Sequence, residues 1–323
     1  MLDLGLRMDF ERRAQAGASP DDVQALARRL HDADGETSLG ERLRLAAAFA
    51  NVAFAAPDRV GETYDAIAHG WLGEGARGPI VAASGEAPAP VGSSLWPAFW
   101  TLLDDAAGGM GAGEITPRTA ALGALLSPAL RDRSATAALA YPGVREAAAG
   151  GYPPRMTLEA LARCPAGSLG HEFYRLIVDN GFDLEVLDRE TLGLSGLTPP
   201  LDYLNARILQ CHDLWHIVGG YQTTALHEVA ISAFQLAQFG HGYSAMFLAV
   251  TAASSAMRDT ASQRLIMDVM MTAWRHGRET PPMIGIPWEA VWDQTTEGVR
   301  AQFGIAPYVS PYPADLFEAL RAA

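Results

Sequence analysis

No lysine occurs anywhere in the 323 residues; the 24 basic side chains are all arginine, set against 37 Asp and Glu for a formal charge of −13. Nucleic acid backbones are bound by neutralising phosphates with Lys and Arg, so so acidic a balance excludes them as partners. With abundant Ala, Gly and Arg, the missing lysine also reads as codon bias in a GC-rich bacterial genome. Cysteine is nearly absent. Cys164 and Cys211 are the only two, too few for a disulfide framework or a Cys-based zinc site, and a reducing cytoplasm fits. Long hydrophobic runs are missing as well. The most apolar stretch, 229–257, is interrupted by Gln235, Gln238 and His241. Its unbroken part, 243–257, falls short of the roughly 20 residues a spanning helix needs. Asp3, Asp9 and Glu11 break up the N-terminus, which has no apolar centre of the secretory kind. No G-x-G-x-x-G fingerprint opens a βα unit, so neither a flavin nor a nicotinamide is expected.

What the chain has instead is hydrophobic residues, 49% of the total, punctuated as helices. Ser19-Pro20 supplies an N-cap and an N1 proline, opening a helix to about Arg29. Ser38 and Glu41 form an S-x-x-E capping box ahead of the apolar run 43–56. Residues 74–118, rich in Gly, Ala and Pro, read as an irregular insertion with a short helix at 96–103, either a surface excursion or a lid. Further on, 169–180 is a helix stopped by Gly181, and Thr198-Pro199 opens a central helix running to Gly219-Gly220. Thr224 caps the next, over 225–239. Helices at 243–258, 261–276 (stopped by Gly277), 288–303 and 314–322 follow. The expected fold class is all-α: a multi-helix single domain over 38–323 with the loop-rich insertion, after an N-terminal helical extension over 1–37.

The chemistry concentrates in the central helix. Residues four apart lie one above the other on an α-helix. His212 and His216 are such a pair, and Asp213 projects within roughly 100° of them. Two imidazoles one turn apart can converge on a single ion, with Asp213 as a further ligand or as a base on bound water. The chain then breaks at Gly219-Gly220, so that Glu228, in the first turn of the following helix, reaches the same place. His212, Asp213, His216 and Glu228 suit a hard or borderline divalent ion, Zn²⁺ first and Mn²⁺ or Fe²⁺ next. Paired helical histidines are also found simply hydrogen-bonded in cores. His171 and His241 read as surface or core-edge residues. His227 points about 100° away from Glu228 and at most supports the ligands. Arg207, five residues before His212, is placed roughly on the ligand side, to bind a substrate carboxylate or to pair with Asp213.

The pattern His212-Asp213-x-x-His216-x₁₁-Glu228 resembles, gap for gap, the metal motif of the Coq-four family of ubiquinone (coenzyme Q) biosynthesis proteins. Pro165-Ala-Gly167-Ser-Leu-Gly170 with Tyr174 looks like the family's P-x-G-T/S-L-G…Y element, and Gln238-x-Gly240 like its Q-x-G. Ala273-Trp274-x-x-Gly277-Arg278, Trp292 and the 48–58 helix end are similar too. The likeness is strongest over 153–307. It departs at Leu209, where the family usually has Arg, at Gln210 in place of Glu, and at His227 in place of Gly, which bears on substrate contacts rather than ligands.

The resemblance implies a metal-dependent lyase acting on the head group of a polyprenylated 4-hydroxybenzoate, by oxidative decarboxylation at ring C1, with Asp213 and Arg207 as catalytic residues. It implies other ubiquinone biosynthesis proteins as partners, and the apolar helix at 243–257 is either core or the wall of a groove for an isoprenoid tail. A homodimer is compatible with this reading. Together with the composition it places the protein in the bacterial cytoplasm, in peripheral contact with the inner membrane. Two other classes stay open: a non-catalytic lipid-binding scaffold whose metal is structural, and a metallohydrolase using Asp213 as base.

Overall fold

Hydroxyl caps set the helix starts. Ser19 Oγ accepts the Asp22 N–H, and the Ser38 hydroxyl both accepts the Glu41 N–H at 3.2 Å and donates to the Glu41 carboxylate at 3.0 Å. Both satisfy backbone donors that a helix start leaves unpaired. In the computed structural model, residues 2–322 are described except 76, 77, 79, 80, 82, 111 and 186. Among the described residues the secondary structure is helical throughout, with no strand. The first half holds α1 (Leu4–Ala16), α2 (Pro20–His31), α3 (Leu39–Phe54), α4 (Val60–Leu72), α5 (Leu95–Ala107), α6 (Ala112–Gly123), α7 (Pro128–Ala138) and α8 (Val144–Ala148). The second holds α9 (Leu158–Ala162), α10 (Leu169–Asn180), α11 (Leu201–Gly219), α12 (Ala225–Phe239), α13 (Gly242–Arg258), α14 (Thr260–Glu279), α15 (Thr296–Phe303) and α16 (Leu316–Ala322).

The all-α expectation holds. The segment 74–118 contains α5 and the start of α6; the part of the insertion reading that falls on 76, 77, 79, 80, 82 and 111 lies outside the described residues. Helix α12 is buried on nearly every side and packs on α13 and α14, while α13 packs on α3. Trp71, Trp215, Trp274 and Trp288 are fully buried. Two of their indoles reach carboxylates, Trp71 Nε1 donating to Asp268 at 2.7 Å and Trp274 Nε1 to Asp65 at 2.8 Å.

Two helix boundaries and one cap differ from expectation. Gly277 does not stop its helix: α14 runs through it to Glu279. A Cβ on Gly277 would lie 2.7 Å from both Ala237 Cβ and the Phe234 carbonyl oxygen of α12, so the glycine serves close helix approach rather than termination. The expected helix at 288–303 is a 3₁₀ turn at Trp288–Ala290 followed by α15, which Thr295 caps through the Gly298 N–H. Thr224 occupies the N-cap position of α12, but its hydroxyl donates to the Ala314 carbonyl at 2.7 Å instead of capping.

The other resembling motifs are packing devices. Buried Gln238 donates to the Gly277 and Thr280 carbonyls at 2.6 and 2.9 Å and accepts the Met283 N–H at 3.0 Å, closing the end of α14. At the start of α10 the N–H groups of Leu169 and Gly170 donate to the Gln294 and Trp292 carbonyls at 2.7 and 2.9 Å. Arg278 and Trp274 share Asp65. Because a methyl on Gly277 would meet backbone rather than a flexible tip, Gly277→Ala should lower stability by roughly 1–3 kcal/mol, despite alanine's higher helix propensity, as read by urea denaturation. Unchanged or raised stability would show that α12 and α14 have room to separate.

Candidate metal centre

Helix α11 is capped by Gly220, whose φ of 76° is left-handed and which would press a Cβ to 2.8 Å from Pro307. The last carbonyls of α11 are claimed from outside. Arg300 donates to Ile217 and Val218 oxygens at 2.7 and 2.9 Å, and the Tyr308 N–H to Gly219 O at 2.8 Å. With the turn fixed in this way, α12 folds back and brings Glu228 against His212 and His216.

Three donor sets converge. His212 Nε2 lies 3.3 Å from His216 Nε2 and 3.2 Å from one Glu228 oxygen, and His216 Nε2 lies 3.3 Å from the other. Bonds of about 2.0–2.1 Å to a tetrahedral ion put neighbouring donors about 3.3–3.4 Å apart, a spacing that each of these contacts approaches, with the two histidines on different oxygens of Glu228. Side-chain exposure is 1% at His216, 16% at His212 and 42% at Glu228. The group is therefore anchored in the core and open to solvent on the Glu228 side.

The outer nitrogens are held too. His216 Nδ1 is 3.1 Å from the Gln222 carbonyl oxygen. A carbonyl only accepts, so Nδ1 carries a proton and Nε2 is the nitrogen that faces the group. His212 Nδ1 is 2.8 Å from the Gln235 amide. With the amide oxygen turned toward it, Nδ1–H donates and Nε2 is free to coordinate; with the NH₂ turned toward it, Nε2–H donates to Glu228. Burial pushes the Glu228 carboxyl up, but hydrogen bonds and charge from both imidazoles outweigh it and hold the group well below the usual carboxylate range. His212 is opposed by burial yet raised on balance by Glu228, Asp213 and Gln235.

Asp213 does not join the converging group, whose ligand atoms lie within 4.8 Å of one another. This corrects the four-ligand expectation: one residue after His212, its short side chain starts about 100° around the helix. Its charge still registers with both histidines, and burial raises its carboxyl above the ordinary value. Arg207 is not on the ligand side either. Five residues before His212 is about 140° around the helix, and its guanidinium forks onto Glu289 at 2.7 and 3.0 Å, with Gln210 Oε1 and the Ile286 carbonyl further out. It does not pair with Asp213.

Residues from elsewhere complete the surroundings. His241, read as a core-edge residue, donates to or accepts from Ser244 Oγ at 2.9 Å; burial and then the charge of His212 lower it to about 3. Tyr243, raised to about 12 by burial, registers the charge of Glu228. Gln235 was legible, since seven residues after Glu228 is two turns along the same face of α12. The Gln222 carbonyl and Glu289 were not, because only the tertiary fold brings them in.

An all-helical protein with a His₂-carboxylate group at a helix hairpin is thereby defined. A family model for the Coenzyme Q (ubiquinone) biosynthesis protein Coq4 matches residues 113–308, well over half of the chain, and the protein belongs to that family. The ubiquinone biosynthesis protein COQ4, mitochondrial, of Eremothecium gossypii is 28% identical over 153 residues, 47% of this chain and 46% of its own. The mitochondrial COQ4 homolog of Mus musculus is 27% identical over 154 residues, 47% of this chain and 55% of its own. The chain thus spans about half the length of the curated relatives it matches. A crystal structure from Nostoc punctiforme PCC 73102, of a protein named for ubiquinone biosynthesis, shares the fold: TM-score 0.50, 21% identity, 65% of this chain and 96% of that one. The expectation of a bacterial cytoplasmic protein at the inner membrane is overturned, because the curated relatives are named mitochondrial. Lysine content reflects codon usage and carries no address. Among the described residues no helix is long and apolar enough to cross a membrane.

Glu289 carries a testable consequence. Burial raises it, but the hydrogen bonds and charge of Arg207 win and lower it. A depressed carboxyl stabilises the fold above its unfolded pKa and loses that stabilisation as pH falls through the folded one. Glu289→Gln should therefore cost roughly 1–2 kcal/mol at pH 7, discounted because Glu289 is half exposed. The difference from wild type should shrink as pH drops below about 4. Urea denaturation across that range checks it; a difference independent of pH would rule out the ion pair as the source.

Proposed function

We propose that the protein acts in ubiquinone biosynthesis as a metal-dependent enzyme on the aromatic head group of a polyprenylated hydroxybenzoate, removing the ring carboxylate. The reading rests chiefly on the triangle of His212, His216 and Glu228 donors. Three protein ligands leave a coordination position for water or substrate, the pattern of catalytic rather than structural zinc, and this favours an enzyme over a scaffold. A bound divalent ion, zinc foremost, would supply the positive charge that stabilises a phenolate or carboxylate. His212, His216 and Glu228 would hold it. Asp213, standing beside the group with its carboxyl raised by burial, is the side chain suited to take or return a proton. Arg207, engaged by Glu289, is left to position α11 rather than to bind substrate. Tyr243 and Phe247, partly exposed and stacked with ring centroids 6.2 Å apart, offer an apolar wall to an isoprenoid tail. The names of the relatives support pathway partners and a mitochondrial setting for the same chemistry.

A metallohydrolase with Asp213 as base is the second reading, favoured by the one observation that Asp213 stands outside the ligand group. Substrate decides between them. Purified protein should carry about one divalent ion per chain, and Glu228→Gln or His212→Ala should weaken its retention at least tenfold. Asp213→Asn should keep the ion and lose turnover of a prenylated 4-hydroxybenzoate by about a hundredfold. Elemental analysis and product detection measure both. A metal-free wild type, or peptide or phosphoester hydrolysis by it, would overturn the proposal.

A further inference from the structure

We infer that His227 is a positioning residue that fixes which nitrogen of His216 faces the site. The inference rests on the metal reading only in its consequence for ion binding; the placement itself is independent of any ion. His216 Nδ1 donates to the Gln222 carbonyl at 3.1 Å, so Nε2 is the nitrogen turned toward His212 and Glu228. Gln222 is held at its other end as well, where its N–H donates to His227 Nδ1 at 2.8 Å. His227 therefore reaches His216 through one residue of backbone. Its ring is 4% exposed and stands edge-on to Tyr221 and Tyr308, with centroids 6.1 and 5.7 Å away.

The other nitrogen shows what the ring is there for. An imidazole accepting at Nδ1 is the neutral tautomer with its proton on Nε2, and His227 Nε2 is buried with no hydrogen-bond partner. An unpaired buried donor is unfavourable, so the ring is not placed to satisfy itself. Its single polar contact is the Gln222 N–H. Tyr221, next to Gln222, is anchored separately, its hydroxyl on His276 Nδ1 at 2.7 Å. The N–H of Gln222 and its neighbour Tyr221 are thus both anchored, which restrains the residue whose carbonyl takes the His216 Nδ1 proton. Groups that orient a coordinating histidine through its far nitrogen commonly change metal affinity by 10–100-fold.

The test uses the full chain, first metal-free and then with zinc. Imidazole ¹⁵N shifts should show His216 protonated at Nδ1 in wild type and in His227→Asn, whose Oδ1 can take the place of Nδ1 as acceptor. In His227→Leu the tautomers should mix, and zinc affinity from chelator competition should fall about 10–100-fold, against a change within about threefold for His227→Asn. A wild-type His216 without a proton on Nδ1, or a folded His227→Leu with both tautomer and zinc affinity unchanged, overturns the inference. If His227→Leu does not fold, scalar coupling between the Gln222 N–H and His227 Nδ1 in wild type decides, and its absence overturns it. If wild type binds no zinc while the His216 tautomer still follows residue 227, the positioning role stands and the metal reading falls.

Discussion

Two imidazole nitrogens and a carboxylate held 3.2–3.3 Å apart form an arrangement that a fold must enforce, since gathering them in the core gives up the hydration each polar group would otherwise have. The enforcement begins at the turn between α11 and α12. A left-handed Gly220 lets the chain reverse, Pro307 and Tyr308 close over it, and Arg300 neutralises the carbonyl end of α11. Were the turn to loosen, Glu228 would swing away and the histidines would be two ordinary residues of an amphipathic helix.

The rest of the molecule keeps α12 in place. Gly277 lets α14 approach it, Gln238 ties its far end to the close of α14, and the buried tryptophans fix α4 and α14 through Asp65 and Asp268. Most residues that mark the family in this chain are thus close-packing glycines and buried hydrogen-bonding side chains outside the site. A helical bundle that presents three ligands within a few tenths of an ångström needs such rigidity in the supporting helices.

The sequence made the histidine pair and Glu228 legible because helix periodicity converts spacing into direction, and the Gly219-Gly220 break gives the second helix its return. The same periodicity, applied more strictly, places Arg207 about 140° from His212; the expectation that it faces the ligands treated proximity along the chain as proximity around the helix. Asp213 was overcounted for a related reason, since adjacency on a helix separates side chains. In sequence, a glycine near a helix end such as Gly277 looks the same whether it terminates the helix or admits a neighbour. Gln222 and Glu289 carry no local signal at all: one acts through its backbone and the other lies 82 residues from its partner Arg207.

The central claim is that His212, His216 and Glu228 together hold one divalent ion. X-ray absorption on the zinc-loaded protein reads the ion's own neighbours. Two imidazole nitrogens and carboxylate or water oxygen at about 2.0–2.1 Å, with no sulfur, is the predicted shell. A shell containing sulfur, or one made of oxygen alone without imidazole scattering, would contradict it.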